Sequence, residues 1–498
     1  MNDQPPGPVE APDVTRLAAE LDQLRAEIAD LRIIDRQRQA AAVGIAQERD
    51  ELRRQLVAQP AWFARQLRRV WRFFYWTITG RLKTQLLAIY QTWRHAPLLA
   101  GQPDNALGRA TAVKPIVPEM VAAHFPVLRP IESFRSPGVP PRLTLVTDSI
   151  NAGSLFGGVA TAIVLAAEFA KATDRRLRVL TLTEPAIQEN VRHVLDNAGV
   201  EYRGPVEFDF ADVKKKRAID LGEDEIFLTT SWWSTHDTRR IAAPERIIYL
   251  LQEDERDFYP ASDQRLRCAE LLRDPRLRFV INTKLLRDHL VAEGFDNIAR
   301  NGLWFEPAFP AHIYRTDRPP AAKKNFFFYA RPHNVRNLFY RGLEAVDEAV
   351  QRGILDPAEW DFHFVGKDLD PELANLPYRP SLSQNLSWAQ YAALISRMDL
   401  GLALMYTPHP SYPPLDLAAA GAVAVTNRYG LKQDLSAYSS NIICADTDVA
   451  SLVAALEVGA RLARNQQQRA ANSAANRINR SWSEALRPVV GALSQPCS

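Results

Sequence analysis

Two successive series of short apolar runs alternate with helical patterns along this chain, and this alternation limits the possible folds more than any other feature. The first series comprises residues 143–148, 177–183, 225–230, 246–252 and 277–282, with helical patterns at 158–172, 186–198 and 284–293. Runs that are apolar at nearly every position form strands buried on both faces, as in parallel sheets covered by helices. We therefore expect a doubly wound α/β domain over residues 140–318.

A second series begins after the Pro-containing stretch TDRPPAAKK at 316–324. Its strand-like runs are 325–330, 360–366, 399–405, 422–427 and 441–445, with helical patterns at 337–351, 388–397, 414–421 and 448–465. We expect a second Rossmann-like domain over 322–470, followed by a C-terminal helix over 471–498 that packs back on the first domain. Two such domains in tandem enclose a cleft outside the carboxyl ends of their strands, where ligands of these sheets bind.

The N-terminal region, residues 1–58, has a Pro-rich lead followed by a heptad pattern. Its apolar positions are Leu17, Leu21, Leu24, Ile28 and Leu31, spaced alternately by four and three residues. This spacing predicts a short coiled coil and hence self-association of the chain into a homo-oligomer. The alternative is a helix packed on its own chain.

Residues 59–139 are predicted to form a basic aromatic helical region and a linker. No Asp or Glu occurs between Glu51 and Asp104, and residues 61–94 combine aromatic side chains with seven cations, which are Arg65, Arg68, Arg69, Arg72, Arg81, Lys83 and Arg94. An amphipathic helix of this composition suits the interface of an anionic membrane. A helical hairpin packed against the globular body, with solvated arginines, is the alternative.

The composition fits a soluble globular protein in a reducing compartment. Of 498 residues, 46% are hydrophobic and 24% charged, and a net charge of +3 is too small to imply nucleic-acid binding. The three cysteines, Cys268, Cys444 and Cys497, form no CxxC pair, and the N-terminus does not resemble a signal peptide. No run of 18 apolar residues occurs. We expect a cytoplasmic protein, bound peripherally at the inner membrane face if the membrane interpretation holds.

The loop after the first strand, DSINAGSLFGGVATA at 148–162, is a candidate ligand loop. Asp148 ends the strand, and exposed N–H groups at the following helix start favour anionic or hydroxyl-rich ligands. Its polar and small residues are Asn151, Gly153, Gly157 and Gly158. The spacing matches neither a Walker loop nor GxGxxG, and a simple strand-to-helix turn explains it equally well.

The corresponding loop of the second domain, YARPHNVRN at 329–337, carries Arg331 and Arg336. Guanidinium groups bind phosphate oxygens bidentately, so this pair predicts a clamp for a diphosphate. Two solvated arginines are the alternative.

The stretch HPSYPPLD at 409–416 places three prolines before a small-residue helix. Asp416 is expected in the first turn of that helix, either as a cap or as a ligand of nucleotide ribose hydroxyls. His409, Ser411 and Tyr412 belong to the same loop.

The second domain resembles the donor half of GT-B glycosyltransferases of family 4, which carry a G-R-x-x-x-x-K loop and an E-x7-E motif. The stretches FFFYARPHNVRNLF, HPSYPPLDLAAAGAVAVTN and YLLQEDERDFYP are more similar to bacterial rhamnosyltransferases that build S-layer and O-antigen glycans. Arg331 matches the family Arg, Arg336 stands in place of Lys, and Asp416 matches the second Glu. Pro408 stands where the first Glu is expected, which leaves open the group that faces the reacting sugar. The resemblance implies that the loop with His409, Ser411 and Tyr412 shapes the sugar pocket.

The resemblance implies a GT-B fold and a retaining transfer of a deoxyhexose such as rhamnose from a nucleotide sugar to a glycan or lipid-linked acceptor, with neither a metal nor a cofactor. Acceptor-side candidates for catalysis from the first domain are Asp148, His236 and Glu255, each also explicable as a cap or loop hydrogen bond. A metal site in the acidic stretch 253–257 would compete with this interpretation. A nucleotide-sugar epimerase of the same fold and an inactive coiled-coil scaffold are the alternatives.

Overall fold

The computed structural model describes residues 116–128, 130–151, 157–211, 217–317 and 321–495. The predicted coiled coil, the basic aromatic region at 61–94 and Gly153 lie outside the described residues. Within the described part, the predicted α/β class is confirmed: two parallel, helix-covered sheets follow one another along the chain.

The first domain contains a seven-stranded parallel sheet. The strands of residues 116–317 are, in chain order, Ser133–Arg135 (β1), Arg142–Thr147 (β2), Arg176–Thr181 (β3), Val206–Phe210 (β4), Ile219–Leu221 (β5), Glu225–Thr229 (β6), Ile247–Leu251 (β7), Arg278–Asn282 (β8) and Leu303–Phe305 (β9). The helices are Ile116–His124 (α1), Gly158–Ala172 (α2), Glu189–Ala198 (α3), Trp232–Thr238 (α4), Asp263–Leu272 (α5), Lys284–Ala292 (α6) and Asp296–Asn301 (α7). The sheet order is β4-β3-β2-β6-β7-β8-β9, and β1 pairs separately with β5.

The second domain contains a six-stranded parallel sheet of order β12-β11-β10-β13-β14-β15. Its strands are Lys324–Ala330 (β10), Trp360–Gly366 (β11), Ser381–Gln384 (β12), Leu400–Leu402 (β13), Val423–Asn427 (β14) and Ile442–Ala445 (β15). The helices are Phe339–Gln351 (α8), Trp388–Ile395 (α9), Tyr412–Ala419 (α10), Val449–Arg464 (α11), Gln466–Ala474 (α12) and Trp482–Leu493 (α13).

The strand order fixes where each domain binds a ligand. In both sheets the strand that comes first in the chain, β2 or β10, lies inside the sheet, the next two strands of the sheet are added on one side of it, and the later ones on the other. The side of the sheet on which strands are added therefore switches between β2 and β6 in the first sheet and between β10 and β13 in the second. In such sheets the loops at the carboxyl ends of these two central strands diverge and leave a crevice.

The last helix, α13, packs on the first domain. Trp482, Leu486 and Val489 join the core cluster that contains the buried residues of α2. Helix α2 is thus covered by the sheet on one side and by α13 on another, which explains why it is apolar around most of its circumference.

The structure also contains elements that the sequence patterns did not predict. Strand β4 alternates apolar residues with Glu207 and Asp209, and β9 is three residues long. Helix α1 lies in the region expected to be a linker. Helix α10 begins at Tyr412, not at 414, because Pro413 and Pro414 fit the first helical turn, where their missing N–H groups leave no bond unmade.

Candidate active site

A cleft of about 290 Å³ is lined by residues of both domains. The first domain contributes Gly157, Gly158 and Gln252, which follow β2 and β7, and the second contributes loops after β10, β11, β12 and β13. Trp482 of α13 also lines it. The cleft therefore lies at the carboxyl ends of both sheets, at the position that the two strand orders predict.

Arg331 lies in the wall of this cleft, directly after β10. Its guanidinium is partly buried and makes no hydrogen bond or ion pair within the described part of the chain. Lys367, which follows the neighbouring strand β11, lines the same cleft. Two cations at adjacent strand ends form a suitable site for an anionic group.

Arg336, the second arginine of the predicted clamp, is not among the cleft-lining residues. Its Nη1 lies 3.4 Å from Oε2 of Glu253, which does line the cleft. The guanidinium also lies over the ring of Phe258, 4.5 Å from its centroid. The structure thus brings Arg331 to the cleft and places Arg336 against the first domain; its role as a diphosphate ligand stays a prediction.

Glu253 is a site residue that sequence analysis missed. It follows β7 in the first domain, and its Oε2 accepts a hydrogen bond from the hydroxyl of Thr407 in the second. Burial raises the pKa of this carboxyl, while Arg336 and the Thr407 hydroxyl oppose that increase. A carboxylate of the first domain is therefore fixed on the loop that follows β13.

Lys432 lies close to this group and was also missed, since nothing in its sequence context distinguishes it. The side chain is fully buried, and Nζ donates a hydrogen bond of 2.8 Å to the backbone oxygen of Met405. Burial lowers its pKa to about 8, with the charge of Glu253 acting in the opposite direction.

Asp416 lies in the second turn of α10 and is 4% exposed. Tyr391 donates a hydrogen bond of 3.1 Å to its Oδ2. Burial raises the pKa of Asp416 to about 7, and hydrogen bonds with Tyr314 and Tyr391 partly offset the increase. The expected position in the first turn is wrong: Ser411 is the N-cap residue, so Asp416 does not cap the helix.

His409 is held in one tautomer by the backbone. Its Nδ1 accepts a hydrogen bond of 2.9 Å from the N–H of Ser411, so the proton of the neutral ring resides on Nε2. Burial lowers the pKa of His409 to about 3, which keeps the ring neutral. Ser411 makes this geometry at a φ of 71°, a strained value for a residue other than glycine.

Four buried polar atoms of cleft-lining residues have no hydrogen-bond partner within the described part of the chain. They are Nε2 of His409, Nε1 of Trp482, Oε1 of Gln252 and Oδ1 of Asn337. Two are donors and two are acceptors. Buried groups of this kind are costly unless a ligand or water completes them, so they mark a site for a hydroxyl-bearing molecule.

Gly157 and Gly158 line the cleft, and the absence of a Cβ at these positions also allows two side chains, those of Tyr412 and Gln252, to pack close to the backbone. A Cβ on Gly157, whose φ is 65°, would lie 3.4 Å from the ring of Tyr412, and one on Gly158 would lie 3.1 Å from Nε2 of Gln252. Tyr412 crosses between the domains: its hydroxyl lies 2.6 Å from Oγ1 of Thr161 and accepts a 2.8 Å hydrogen bond from Asn282.

Asp148 and Asn151 do not line the cleft. The indole Nε1 of Trp233 donates to both oxygens of Asp148, at 2.9 and 3.2 Å, and burial raises the pKa of this carboxyl. Asn151 accepts from the N–H of Ile187 and donates to the backbone oxygen of Pro185, which ties two loops of the first domain together.

Glu255 and His236 are likewise absent from the cleft lining. Glu255 is buried and accepts a 2.7 Å hydrogen bond from the N–H of Trp232, and burial raises its pKa to about 8. Nδ1 of His236 lies 3.0 Å from Oδ1 of Asp237. The structure accordingly separates the three predicted catalytic side chains, Asp148, His236 and Glu255, from the cleft, and their catalytic roles stay predictions.

Two further observations concern the described residues only. No three His, Cys, Asp or Glu side chains are grouped there in a way that could hold a metal ion. No helix among them has the length and hydropathy needed to cross a membrane.

Family models match both α/β domains. The model described as "WsaF, N-terminal domain" matches residues 142–284, and the one described as "WsaF, C-terminal domain" matches 324–457. Together they cover more than half of the chain, and they begin at the first residues of β2 and β10. The chain belongs to the WsaF family. Its two facing Rossmann-like domains give it the GT-B fold that the sequence resemblance implied.

The O-antigen biosynthesis protein RfbC of Myxococcus xanthus is 30% identical to this WsaF-family chain over 289 residues, which cover 57% of the chain and 21% of RfbC. The chain thus spans about a fifth of the length of that relative. Among solved structures, Anabaena HepE in complex with UDP and glucose has a TM-score of 0.49 at 12% identity, covering 72% of this chain and 100% of HepE. A glycosyltransferase of Rickettsia africae has a TM-score of 0.45 at 12% identity, with 72% and 100% covered.

Proposed function

We propose that this chain is a glycosyltransferase that transfers a deoxyhexose, such as rhamnose, from a nucleoside-diphosphate sugar to a glycan acceptor in cell-surface polysaccharide biosynthesis, with retention of anomeric configuration. The observation that carries the proposal is one cleft that holds Arg331 together with Nε2 of His409 and Oε1 of Gln252, none of which has a side-chain partner among the described residues. The name of the RfbC relative supports the O-antigen context.

Arg331 and Lys367 would bind the diphosphate. Charge develops on the leaving diphosphate as the bond to the sugar breaks, and cations already in place stabilise that charge. Asp416 would accept hydrogen bonds from the ribose hydroxyls.

The sugar would bind between His409, Gln252 and the apolar wall formed by Ala308 and Phe309, which line the same cleft. Nε2 of His409 would donate to a sugar oxygen, and Oε1 of Gln252 would accept from a sugar hydroxyl. An apolar wall suits the methyl group that distinguishes a 6-deoxyhexose from a hexose.

A binding screen followed by a product assay tests the proposal. Purified protein is first heated with dTDP-rhamnose, UDP-glucose, GDP-mannose and the free nucleoside diphosphates, because a ligand that binds the folded state raises the melting temperature. We expect the largest increase with a deoxyhexose donor. If none of these nucleotides raises the melting temperature, the proposal is contradicted and the scaffold alternative is favoured.

The donor identified in this way is then incubated with and without lipid-linked oligosaccharide acceptors, and the products are followed by NMR. A transferase releases the nucleoside diphosphate and forms a glycosidic bond, whereas an epimerase changes the donor sugar without an acceptor. The anomeric configuration of the new bond decides between retention and inversion.

A further inference from the structure

The carboxylate of Glu253 occupies the part of the cleft where the second domain lacks an acidic residue of its own. Position 408, where the resemblance leads us to expect a Glu, is Pro408, and its neighbour His409 is a neutral donor. One residue before Pro408, the hydroxyl of Thr407 donates to Oε2 of Glu253. A carboxylate from the first domain is therefore fixed beside the loop that lacks one.

We propose that Glu253 is the catalytic carboxylate of the transfer and faces the reacting sugar, and that Arg336 is a positioning residue for Glu253. This inference rests on the proposed function. It assigns a role to the group that sequence analysis left open, and it gives Arg336 a different role from the predicted diphosphate clamp.

The contacts of Arg336 support the second half of the proposal. Its Nη1 lies 3.4 Å from the Glu253 carboxylate and does not line the cleft, whereas Glu253 does. The guanidinium is also packed on Phe258, which follows Glu253 closely in the same first-domain loop. Arg336 thus forms an ion pair with the carboxylate without lining the cleft itself, while Arg331 lies in the cleft wall.

The transfer step gives this carboxylate a function. The bond between C1 of the donor sugar and the diphosphate oxygen breaks, and its electron pair leaves with the diphosphate. The acceptor hydroxyl oxygen forms the new bond to C1, and its proton passes to the departing diphosphate. Positive charge develops on C1 and the ring oxygen during this exchange, and a fixed carboxylate beside them lowers the energy of that state.

The arrangement of charges agrees with this role. Glu253 is 20% exposed on its side chain, so water screens it only in part. Buried Lys432 and Arg336 favour its ionised form against the effect of burial. The cleft then presents a carboxylate for the sugar and the cations Arg331 and Lys367 for the leaving group.

The test compares Glu253→Gln with Arg336→Gln in the full chain. The amide of the first variant keeps the size of the side chain and an oxygen that can accept from Thr407. We expect kcat to fall at least about 100-fold in Glu253→Gln, the effect of removing one preorganised electrostatic group. The Kd of the free nucleoside diphosphate, measured by calorimetry, should change by no more than about threefold. Arg336→Gln should show the same division, a lower kcat with an almost unchanged Kd.

The control is Tyr429→Phe, which removes another hydrogen bond between the domains, the 3.1 Å bond from Tyr429 to Asp257. Its kcat should stay within about fivefold of wild type, because Tyr429 is not among the residues that line the cleft. Equal losses of kcat in Tyr429→Phe and Glu253→Gln would assign Glu253 a merely structural role and overturn the inference.

Two outcomes separate this inference from the proposed function. If wild type transfers sugar and Glu253→Gln retains kcat within about fivefold, the inference is wrong and the proposed function stands. If Arg336→Gln loses nucleoside-diphosphate affinity at least tenfold, Arg336 is a diphosphate ligand and the positioning role is wrong. A wild-type protein that binds no nucleoside diphosphate overturns the proposed function, and the inference with it.

Discussion

The hydroxyl of Tyr391 donates a hydrogen bond of 3.1 Å to Oδ2 of Asp416, and both side chains line the cleft. The carboxyl group is thus surrounded by phenols instead of water or a cation. Because burial disfavours the charged form, the pKa of Asp416 rises to about 7, and the hydrogen bonds with Tyr314 and Tyr391 do not fully reverse the shift. Asp416 therefore titrates close to neutral pH.

The first prediction concerns the pH dependence of stability in Asp416→Asn. An unfolded Asp has a pKa of 3.8, and folding raises it to about 7. Between these values the folded protein keeps a proton that the unfolded chain has released, so this group makes stability fall as pH rises from about 4 to about 7. We expect the variant to lose this decrease, which is at most about 1.4 kcal/mol per pH unit for one proton.

Denaturant unfolding at pH 5 and pH 7.5 measures the effect. The control is Asp317→Asn, because the hydrogen bond with Arg315 lowers the pKa of Asp317 below 3.8, so its titration is nearly complete at pH 5 and its contribution should be the same at both pH values. If the difference in stability between wild type and Asp416→Asn is the same at both pH values, the pKa of Asp416 is not raised in the folded protein.

The second prediction concerns Arg331→Ala. Loss of a guanidinium that binds phosphate oxygens should weaken nucleoside-diphosphate binding by about 2–3 kcal/mol, because charge-assisted hydrogen bonds are removed. Calorimetry measures the affinity. The melting temperature of the unliganded variant should not fall, since Arg331 has no hydrogen-bond or ion-pair partner within the described residues. The control, Arg352→Ala, removes an exposed arginine of the α8 C-terminus and should leave the affinity unchanged.

The third prediction concerns Tyr412→Phe. Thr161 donates its own proton to the backbone oxygen of Gly157, so the Tyr412 hydroxyl donates to Thr161 and accepts from Asn282. Phe would leave the buried amide of Asn282 without this acceptor and remove one of the two hydrogen bonds of the Thr161 hydroxyl, so we expect a loss of about 1–3 kcal/mol of stability. Tyr340→Phe is the control, since that side chain is 68% exposed. An unchanged melting temperature in Tyr412→Phe would show that the two bonds between the domains contribute nothing.

The fold was predictable because its central strands are apolar at nearly every position. The strands that the sequence did not predict are too short or too polar to form such an apolar run. In β4 only every second residue is apolar, with Glu207 and Asp209 between, and it lies at the edge of the sheet. Strand β9 has three residues, too few for any periodicity.

The site was predictable only in part, because strand ends locate loops and do not orient side chains. Arg331 and Asp416 line the cleft as expected. Among the consecutive acidic residues after β7, however, the predicted one, Glu255, turns to the N–H of Trp232, whereas Glu253 enters the cleft. Glu255 is the first residue of a short 3-10 helix, Glu255–Phe258, and Glu253 lies before it; neither residue type nor spacing indicates this boundary.

The fourth prediction concerns self-association through the heptad positions 17–31, which lie outside the described residues. In a coiled coil, Leu24 would lie in the apolar seam, and a charge there would be buried against the partner helix. We expect Leu24→Asp in the full chain to lower the mass measured by light scattering, with Gln23→Asp as the control outside the seam. Equal masses for both variants and wild type would favour the helix packed on its own chain.

The last prediction concerns the basic aromatic residues 61–94. Near an anionic membrane each basic side chain contributes about 1 kcal/mol of attraction, which salt screens over a distance of about 10 Å at 0.1 M. We therefore expect the full chain to sediment with liposomes of anionic lipid at low salt and less so at high salt. Replacing four of these arginines by Gln should abolish most of the binding; they are Arg65, Arg68, Arg69 and Arg72. The control replaces four exposed arginines of the two domains in the same way: Arg192, Arg352, Arg397 and Arg461. The control removes the same net charge, so an equal loss of binding in both variants would assign the attraction to overall charge. If the wild-type chain does not bind anionic liposomes at low salt, the packed helical hairpin is favoured.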